Sequence, residues 1–290
     1  MRTEQEMMDL ILTFARNDER VRAVILNGSR ANPNAPRDFF QDFDIVFVVT
    51  DDAPFKQDRS WMRCFGDLMI VQVPEEMGYP VEESSTDIYV YLMQFTDGNR
   101  IDLTIHPLQR LSELGRDSLS VLLLDKDGII EPFPPPHEGD YLPKPPTPRQ
   151  FADCCNEFWW VSTYVAKGLW REEITYAKAM MEVCRAQLFA ILRWYIGMRT
   201  DFQVNPGKEG KYYRKYLEPE RWARLLATYA DADPRRTWNA LFAMADLFRD
   251  TAQVVAQRFG LTYPQEEDSK VSAFLLQVRA LPRTATSLEG

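Results

Sequence analysis

Apolar positions along the chain change their period twice. Met7, Met8, Ile11, Leu12 and Ala15 recur on one face of a helix, and Thr3 with Glu6 supplies the capping-box pattern that starts it. Asn17-Asp18 ends it. Short apolar runs of strand length follow at 21–26, 45–49, 68–73, 88–95 and 101–105. The run at 45–49 is Ile/Val/Phe throughout, as in a strand covered on both faces. Thr96-Asp97-Gly98-Asn99 is a turn, so 88–95 and 101–105 are predicted to pair as an antiparallel hairpin. A short strand at 122–124 precedes the Asp127-Gly128 turn.

Pro132, Pro134, Pro135, Pro136, Pro143, Pro145, Pro146 and Pro148 then exclude any regular element across 131–148. After them the spacing is helical. Thr147-Pro148-Arg149-Gln150 is a second capping box, and helices are predicted over 148–166, 172–197, 219–230, 234–259 and 267–280, with Gly260 as a C-terminal stop. The fold class is α+β: a mixed sheet with flanking helices over 1–135, a Pro-rich linker over 136–148, and an α-helical domain over 149–290. Substrates are expected to meet in the cleft between the domains.

The length of 290 residues suits two domains, and 45% apolar residues suffice for sizeable cores. No apolar run reaches the ~18 residues of a membrane span. Met1-Arg2-Thr3-Glu4-Gln5-Glu6 reads as neither a signal nor a transit peptide. Cys64, Cys154, Cys155 and Cys184 show no metal or redox spacing, and two histidines make a zinc site a poor expectation. These features predict a cytoplasmic protein with free thiols. The formal charge of −9 argues against a nucleic-acid partner. It suits a cationic ligand, or simply solubility. Oligomeric state stays open, with a monomer as one option.

The chemistry concentrates between residues 21 and 49. A strand leads into Asn27-Gly28-Ser29-Arg30, and Asp42-Phe43-Asp44 leads into the next strand. Strand alternation puts Asp42 and Asp44 on one face and Phe43 on the other. Two adjacent carboxylates call for a cation between them, and a hard ion such as Mg²⁺ takes oxygen ligands of this kind. A solvated acid pair in a turn is the alternative. Asp102 is a third acid, alone among Ile101, Leu103 and Ile105. If its strand neighbours 45–49, three carboxylates converge, as metal ligands or with one as general base. Otherwise Asp102 faces water on an edge strand. Gly28 permits close backbone approach to a phosphate, the following turn presents N–H groups and Ser29 a hydroxyl, with Arg30 as a helper.

Taken together, these residues resemble the nucleotidyltransferase superfamily of the polymerase-β type. More closely, the chain resembles the aminoglycoside 6-adenylyltransferase (streptomycin adenylyltransferase) family. The likeness is carried by Asn27-Gly28-Ser29-Arg30-Ala31-Asn32-Pro33-Asn34, Asp38, Asp42-Phe43-Asp44-Ile45-Val46, Asp97-Gly98-Asn99-Arg100-Ile101-Asp102-Leu103-Thr104 and Leu123-Leu124-Asp125-Lys126-Asp127. Glu157-Phe158-Trp159-Trp160 and the 164–171 stretch extend it over nearly the whole chain. Phe43 departs from a Tyr in some relatives, away from the chemistry. The resemblance implies Mg²⁺-dependent transfer of AMP from ATP to the 6-hydroxyl of streptomycin, with pyrophosphate released and antibiotic resistance conferred. Gly28 and Ser29 would hold the triphosphate, Asp42 and Asp44 the Mg²⁺, and Asp102 would be third ligand or base. Two rivals are a nucleotidyltransferase with another acceptor and a non-catalytic, antitoxin-like nucleotide-binding module.

Weaker candidates lie outside these motifs. Lys208 and Lys211, beside Gly207 and Gly210, could reach phosphates or be a solvated loop. Glu157, Trp160 and Tyr164 share one helix face and suit a guanidinium ligand; the alternative is core packing. Glu82, with Glu83, could line an acidic mouth or be solvated. Trp61 could stack on adenine or pack; His106 and Cys184 read as structural.

Overall fold

The structure is a computed structural model that describes residues 1–78, 88–114 and 117–288. The chain divides into two compact units, Met1–Asp140 and Tyr141–Gly290.

The first unit begins with α1 (Glu4–Asn17). Its capping box is closed, with Thr3 N donating to Glu6 Oε2 at 2.7 Å and Glu6 N to Thr3 Oγ1 at 3.2 Å. Six strands among the described residues make one mixed sheet: β1 (Val21–Asn27), β2 (Phe43–Val49), β3 (Leu68–Gln72), β4 (Tyr89–Phe95), β5 (Arg100–Pro107) and β6 (Ser120–Asp125). Their order is β3-β4-β5-β2-β1-β6. β2 pairs with β5 in parallel, and the remaining pairs are antiparallel. A single helical turn, α2 (Gly28–Ala31), follows β1 directly, and α3 (Ala53–Gln57) follows β2.

The apolar run of β2 reflects its central place. Phe43, Ile45, Phe47 and Val49 enter the main core with Met7 and Ile11 of α1, where Phe14 stacks on Phe47 at 5.8 Å. Val46 and Val48 enter a smaller cluster with Ala23 and Ile25 on the other face. β4 and β5 form the hairpin that the turn residues predict; Phe95 N donates to Asn99 O at 2.9 Å, and Gly98 takes a φ of +87°.

The division between the units, after Asp140, falls inside the 136–148 proline-rich stretch, and the residues before it pack on the first unit. Glu138 accepts from Asn32 Nδ2 at 2.9 Å and Asn34 Nδ2 at 3.0 Å, and His137 N donates to Ser118 O at 2.8 Å. Ile130 and Phe133 pack on the smaller cluster. Proline removes regular structure without removing packing.

The second unit is helical: α4 (Pro148–Trp170), α5 (Ile174–Arg199), α6 (Tyr213–Tyr216), α7 (Pro219–Leu226), α8 (Pro234–Phe259) and α9 (Gln265–Ala280). The capping box of Thr147 and Gln150 opens α4. That helix runs beyond 166 because Gly168 lies against α5: a Cβ there would stand 3.0 Å from Tyr176 and 3.3 Å from Ala177. Close packing offsets glycine's poor helix propensity. Gly260 caps α8 at φ +65°, as its residue type predicts. Phe158 and Phe248 stack at 3.8 Å in the core, and Cys184 is fully buried there. Among the described residues, no helix is long and apolar enough to cross a membrane.

Among the described residues of this unit, one carboxylate is buried. Asp268 of α9, 1% exposed, accepts from Arg249 Nε at 2.6 Å and Nη2 at 2.8 Å, from Tyr263 Oη at 2.7 Å and from Ser272 Oγ at 2.9 Å. Burial alone would raise its pKa, yet the bonds from Arg249, Tyr263 and Ser272 bring it below the ordinary value. Its stabilisation is therefore complete above about pH 4 and lost as acid titrates it. Asp268→Asn should lower the helical unit's stability by about 2–3 kcal/mol at pH 7, discounted for the partial exposure of Arg249. In denaturant melts, the gap between variant and wild type should narrow as pH falls below about 4.

Candidate active site at the start of strands β2 and β5

Gly28 joins β1 to α2 with a φ of +72°, a conformation natural to glycine. A Cβ at this position would collide with Asp44 Oδ2. The turn can therefore close onto Asp44 only because residue 28 lacks a side chain. Gly28 N donates to Leu119 O at 3.0 Å, which anchors the turn. Ser29 is half-buried, and its Oγ makes no hydrogen bond among the described residues. Its carbonyl accepts from Gln41 Nε2 at 3.3 Å.

The strand register assembles the acids. Asn27 stands opposite Asp44, and Asp44 opposite Asp102, across three adjacent strands. Asp42 has the same strand parity as Asp44, while Phe43 points into the main core. Asn27 Oδ1 is held by Ser120 Oγ at 2.7 Å, which fixes the β1 side. The Asp44 carboxyl is pushed up to about 6 by burial and by the charges of Asp102 and Asp42. Burial also raises Asp42.

A cation already stands among these groups. Arg100 donates from Nε to Asp102 Oδ1 at 2.7 Å and from Nη2 to Oδ2 at 2.8 Å. Its Nε lies 3.7 Å from Asp42 Oδ2. The sequence motifs contain Arg100 without marking it as a site residue. The signal was Arg-x-Asp on one strand, since i and i+2 share a face. The Gln41 contact with Ser29 O crosses from the β2 approach to α2 and has no local sequence pattern. Three carboxylates of this kind suit a hard divalent ion by donor type. Among the described residues, however, no group of three or more His, Cys, Asp or Glu side chains is arranged to hold a metal.

Arg30 lies apart from this edge. Its guanidinium stacks on the Phe43 ring at 3.7 Å, on the side of the sheet away from Asp44. It donates to Asp42 O at 3.1 Å and Gln41 O at 2.6 Å, and pairs with Glu4 at 3.0 Å. A buried guanidinium so engaged holds the approach to β2 instead of offering itself to a ligand. Lys208 and Lys211 are exposed on the helical unit, around the left-handed Gly207 and Gly210. Glu157, Trp160 and Tyr164 lie on α4; Trp160 is 58% exposed and donates from Nε1 to Tyr164 Oη at 2.7 Å. Trp160 is thus outside the core that its helical spacing could equally have served. Glu82 and Glu83 lie outside the described residues. Trp61 packs edge-on against Tyr91 and Phe55, with Nε1 donating to Phe55 O at 3.1 Å. His106 is buried, its Nδ1 3.1 Å from Pro107 O.

A glycine–serine turn closed onto carboxylates paired in strand register is the arrangement that the sequence motifs lead one to expect. The streptomycin adenylyltransferase family model matches residues 1–278, and the chain belongs to that family. It is 40% identical over 272 residues to an aminoglycoside 6-adenylyltransferase of Bacillus subtilis, covering 92% of this chain and 95% of the relative. It is 42% identical over 280 residues to one of Campylobacter jejuni, covering 96% of each. A crystal structure of an aminoglycoside 6-adenyltransferase from Bacillus subtilis aligns with 97% of this chain and 100% of its own, at 35% identity and a TM-score of 0.48.

Gly28→Ala tests the closed turn. Displacing Asp44 or the turn by about 1 Å should cost nucleotidyl transfer roughly 100-fold. Strain at the left-handed position should cost about 1–3 kcal/mol of stability. Turnover and melting temperature measured on the same preparation check both.

Proposed function

We propose that this enzyme transfers AMP from ATP to the 6-hydroxyl of streptomycin in the cytoplasm, with Mg²⁺, releasing pyrophosphate and conferring resistance. The reading rests on Asp44 and Asp102 facing each other in register beside Gly28, within a chain of this family. In the reaction the acceptor oxygen bonds to the α-phosphorus, the bond from that phosphorus to the bridging oxygen breaks, and the hydroxyl proton leaves to a base. Bound Mg²⁺ would neutralise the leaving pyrophosphate and polarise the attacked phosphorus. Asp42 and Asp44 would hold it. Asp102 would be third ligand or general base; its pairing opposite Asp44 supports either role alike.

The chain's own groups supply the rest. The Ser29 and Arg30 N–H groups of α2 and the Ser29 hydroxyl are suited to triphosphate oxygens, Gly28 N being engaged by Leu119 O. Lys208 and Lys211 are candidate phosphate contacts on the helical unit. A cationic aminoglycoside finds a matching surface on α4, where the Glu157 carboxylate, the exposed Trp160 ring and the half-buried Tyr164 ring beside it offer charge pairing and cation–π contact. Adenylation adds a negative phosphodiester and bulk, which would weaken the drug's hold on the ribosome.

Labelled ATP, Mg²⁺ and a panel of aminoglycosides test the assignment. Labelled AMP on streptomycin, with pyrophosphate released, is the expected outcome. Label on another acceptor alone would reject streptomycin, and nucleotide binding without pyrophosphate release would favour a regulatory module. Asp42→Asn and Asp44→Asn should each reduce transfer at least ~1,000-fold with the fold intact, as expected when charge stabilisation at the reacting centre is removed. Wild-type turnover from either would remove the metal reading. Asp102→Asn should be comparably impaired; loss of one limb of the pH–rate profile identifies a base, whereas uniform scaling identifies a ligand. Trp160→Ala should raise KM for the aminoglycoside roughly 3- to 10-fold and leave KM for ATP unchanged.

A further inference from the structure

Arg100 opens β5, where strand pairing sets it opposite Gln94 of β4. Gln94 Nε2 in turn holds the carbonyls of Gly98 and Asn99, at 3.2 and 3.0 Å, so the backbone leading into Arg100 is fixed. From that fixed start the side chain follows the strand face to Asp102, two residues on. The planar fork then covers both carboxylate oxygens, at 2.7 and 2.8 Å. The same Nε stands 3.7 Å from Asp42 Oδ2. One guanidinium therefore bridges two of the three acids, while Asp44 between them is left out. Arg30, the other arginine near these residues, is committed to the Phe43 side.

A divalent ion that uses Asp102 needs the two oxygens that the fork now occupies, and to reach Asp42 as well it must enter where Nε stands, 3.7 Å from Asp42 Oδ2. Arg100 can yield them at modest cost, because its side chain is 37% exposed and its charge can return to water. A deeply buried guanidinium could not be released so cheaply. We propose that Arg100 is a resident counter-cation of the acid edge, a positioning residue that a divalent ion must displace from Asp102 and Asp42. The inference rests on the metal reading of these acids given above. Its consequence is that the edge stays partly neutralised when empty and resists metal arriving alone.

The test is Mn²⁺ binding to the full chain without nucleotide or aminoglycoside, followed by electron paramagnetic resonance and calorimetry. Arg100→Gln removes charge and fork; Arg100→Lys keeps the charge and loses the bidentate contact. Both variants should bind Mn²⁺ about tenfold tighter than wild type, the scale of a lost hydrogen-bonded charge contact. Circular dichroism shows whether each variant is folded, and Arg100→Lys suffices if Arg100→Gln is not. Equal or weaker Mn²⁺ binding in the folded variants overturns the proposal. A gain in Arg100→Gln alone shows a general field effect and overturns it as well. Asp44→Asn separates the two readings: if it binds Mn²⁺ as well as wild type does, the acids are not the metal site, and both readings fall.

Discussion

Asp44 and Asp102 face each other on neighbouring parallel strands, and like charges so placed destabilise a sheet by about 0.2–1 kcal/mol per pair. The register cannot relax to separate them. A slip of one residue would turn Phe43, Ile45 and Phe47 out of the main core and drive Asp44 into it. Apolar packing on both faces of β2 therefore forces the acids together, and the local electrostatics must be met by a cation. In this structure that cation is Arg100. The site is in this sense an outcome of the core: hydrophobic register creates a concentration of negative charge that no unfolded or slipped chain would hold.

Two arginines near the site show how the sheet sorts identical side chains by face. Arg30 leaves α2 toward the Phe43 ring and the carbonyls of Gln41 and Asp42, where it ties the turn to the approach of β2. Arg100 lies on the opposite side, among the carboxylates. The first is structural by burial, while the second keeps enough exposure to be exchanged. Gly28 completes the set by omission, since its missing side chain is what lets the turn lie against Asp44.

The helical unit separates stability from surface chemistry. Its buried carboxylate, Asp268, is enclosed by Arg249, Tyr263 and Ser272 and locks α8 to α9. On α4 the apolar stripe of Phe151, Cys155, Phe158 and Trp159 fills the core, while Trp160 stays out. Adjacent tryptophans on one helix thus have opposite fates, because successive residues are turned by about a quarter to a third of the circle.

Much of this was legible in the residues. Periodicity, the two capping boxes, the 96–99 turn and Gly260 placed the long helices and the strands, since each is set by contacts within a few residues, but not every end: α4 runs to Trp170 instead of 166 and α7 stops at Leu226 instead of 230. Gly-Ser, Asp-x-Asp and the lone Asp102 likewise identified the acids. Tertiary structure alone decided that β5 lies beside β2 in parallel and in a register that sets Asp102 against Asp44. It also turned Arg30 away, set Arg100 beside Asp42, and attached residues 131–140 to the first unit. Those outcomes depend on pairing between segments some sixty residues or more apart, or on which face a buried ring occupies. No local pattern encodes such long-range choices, because they are settled by how the whole core closes.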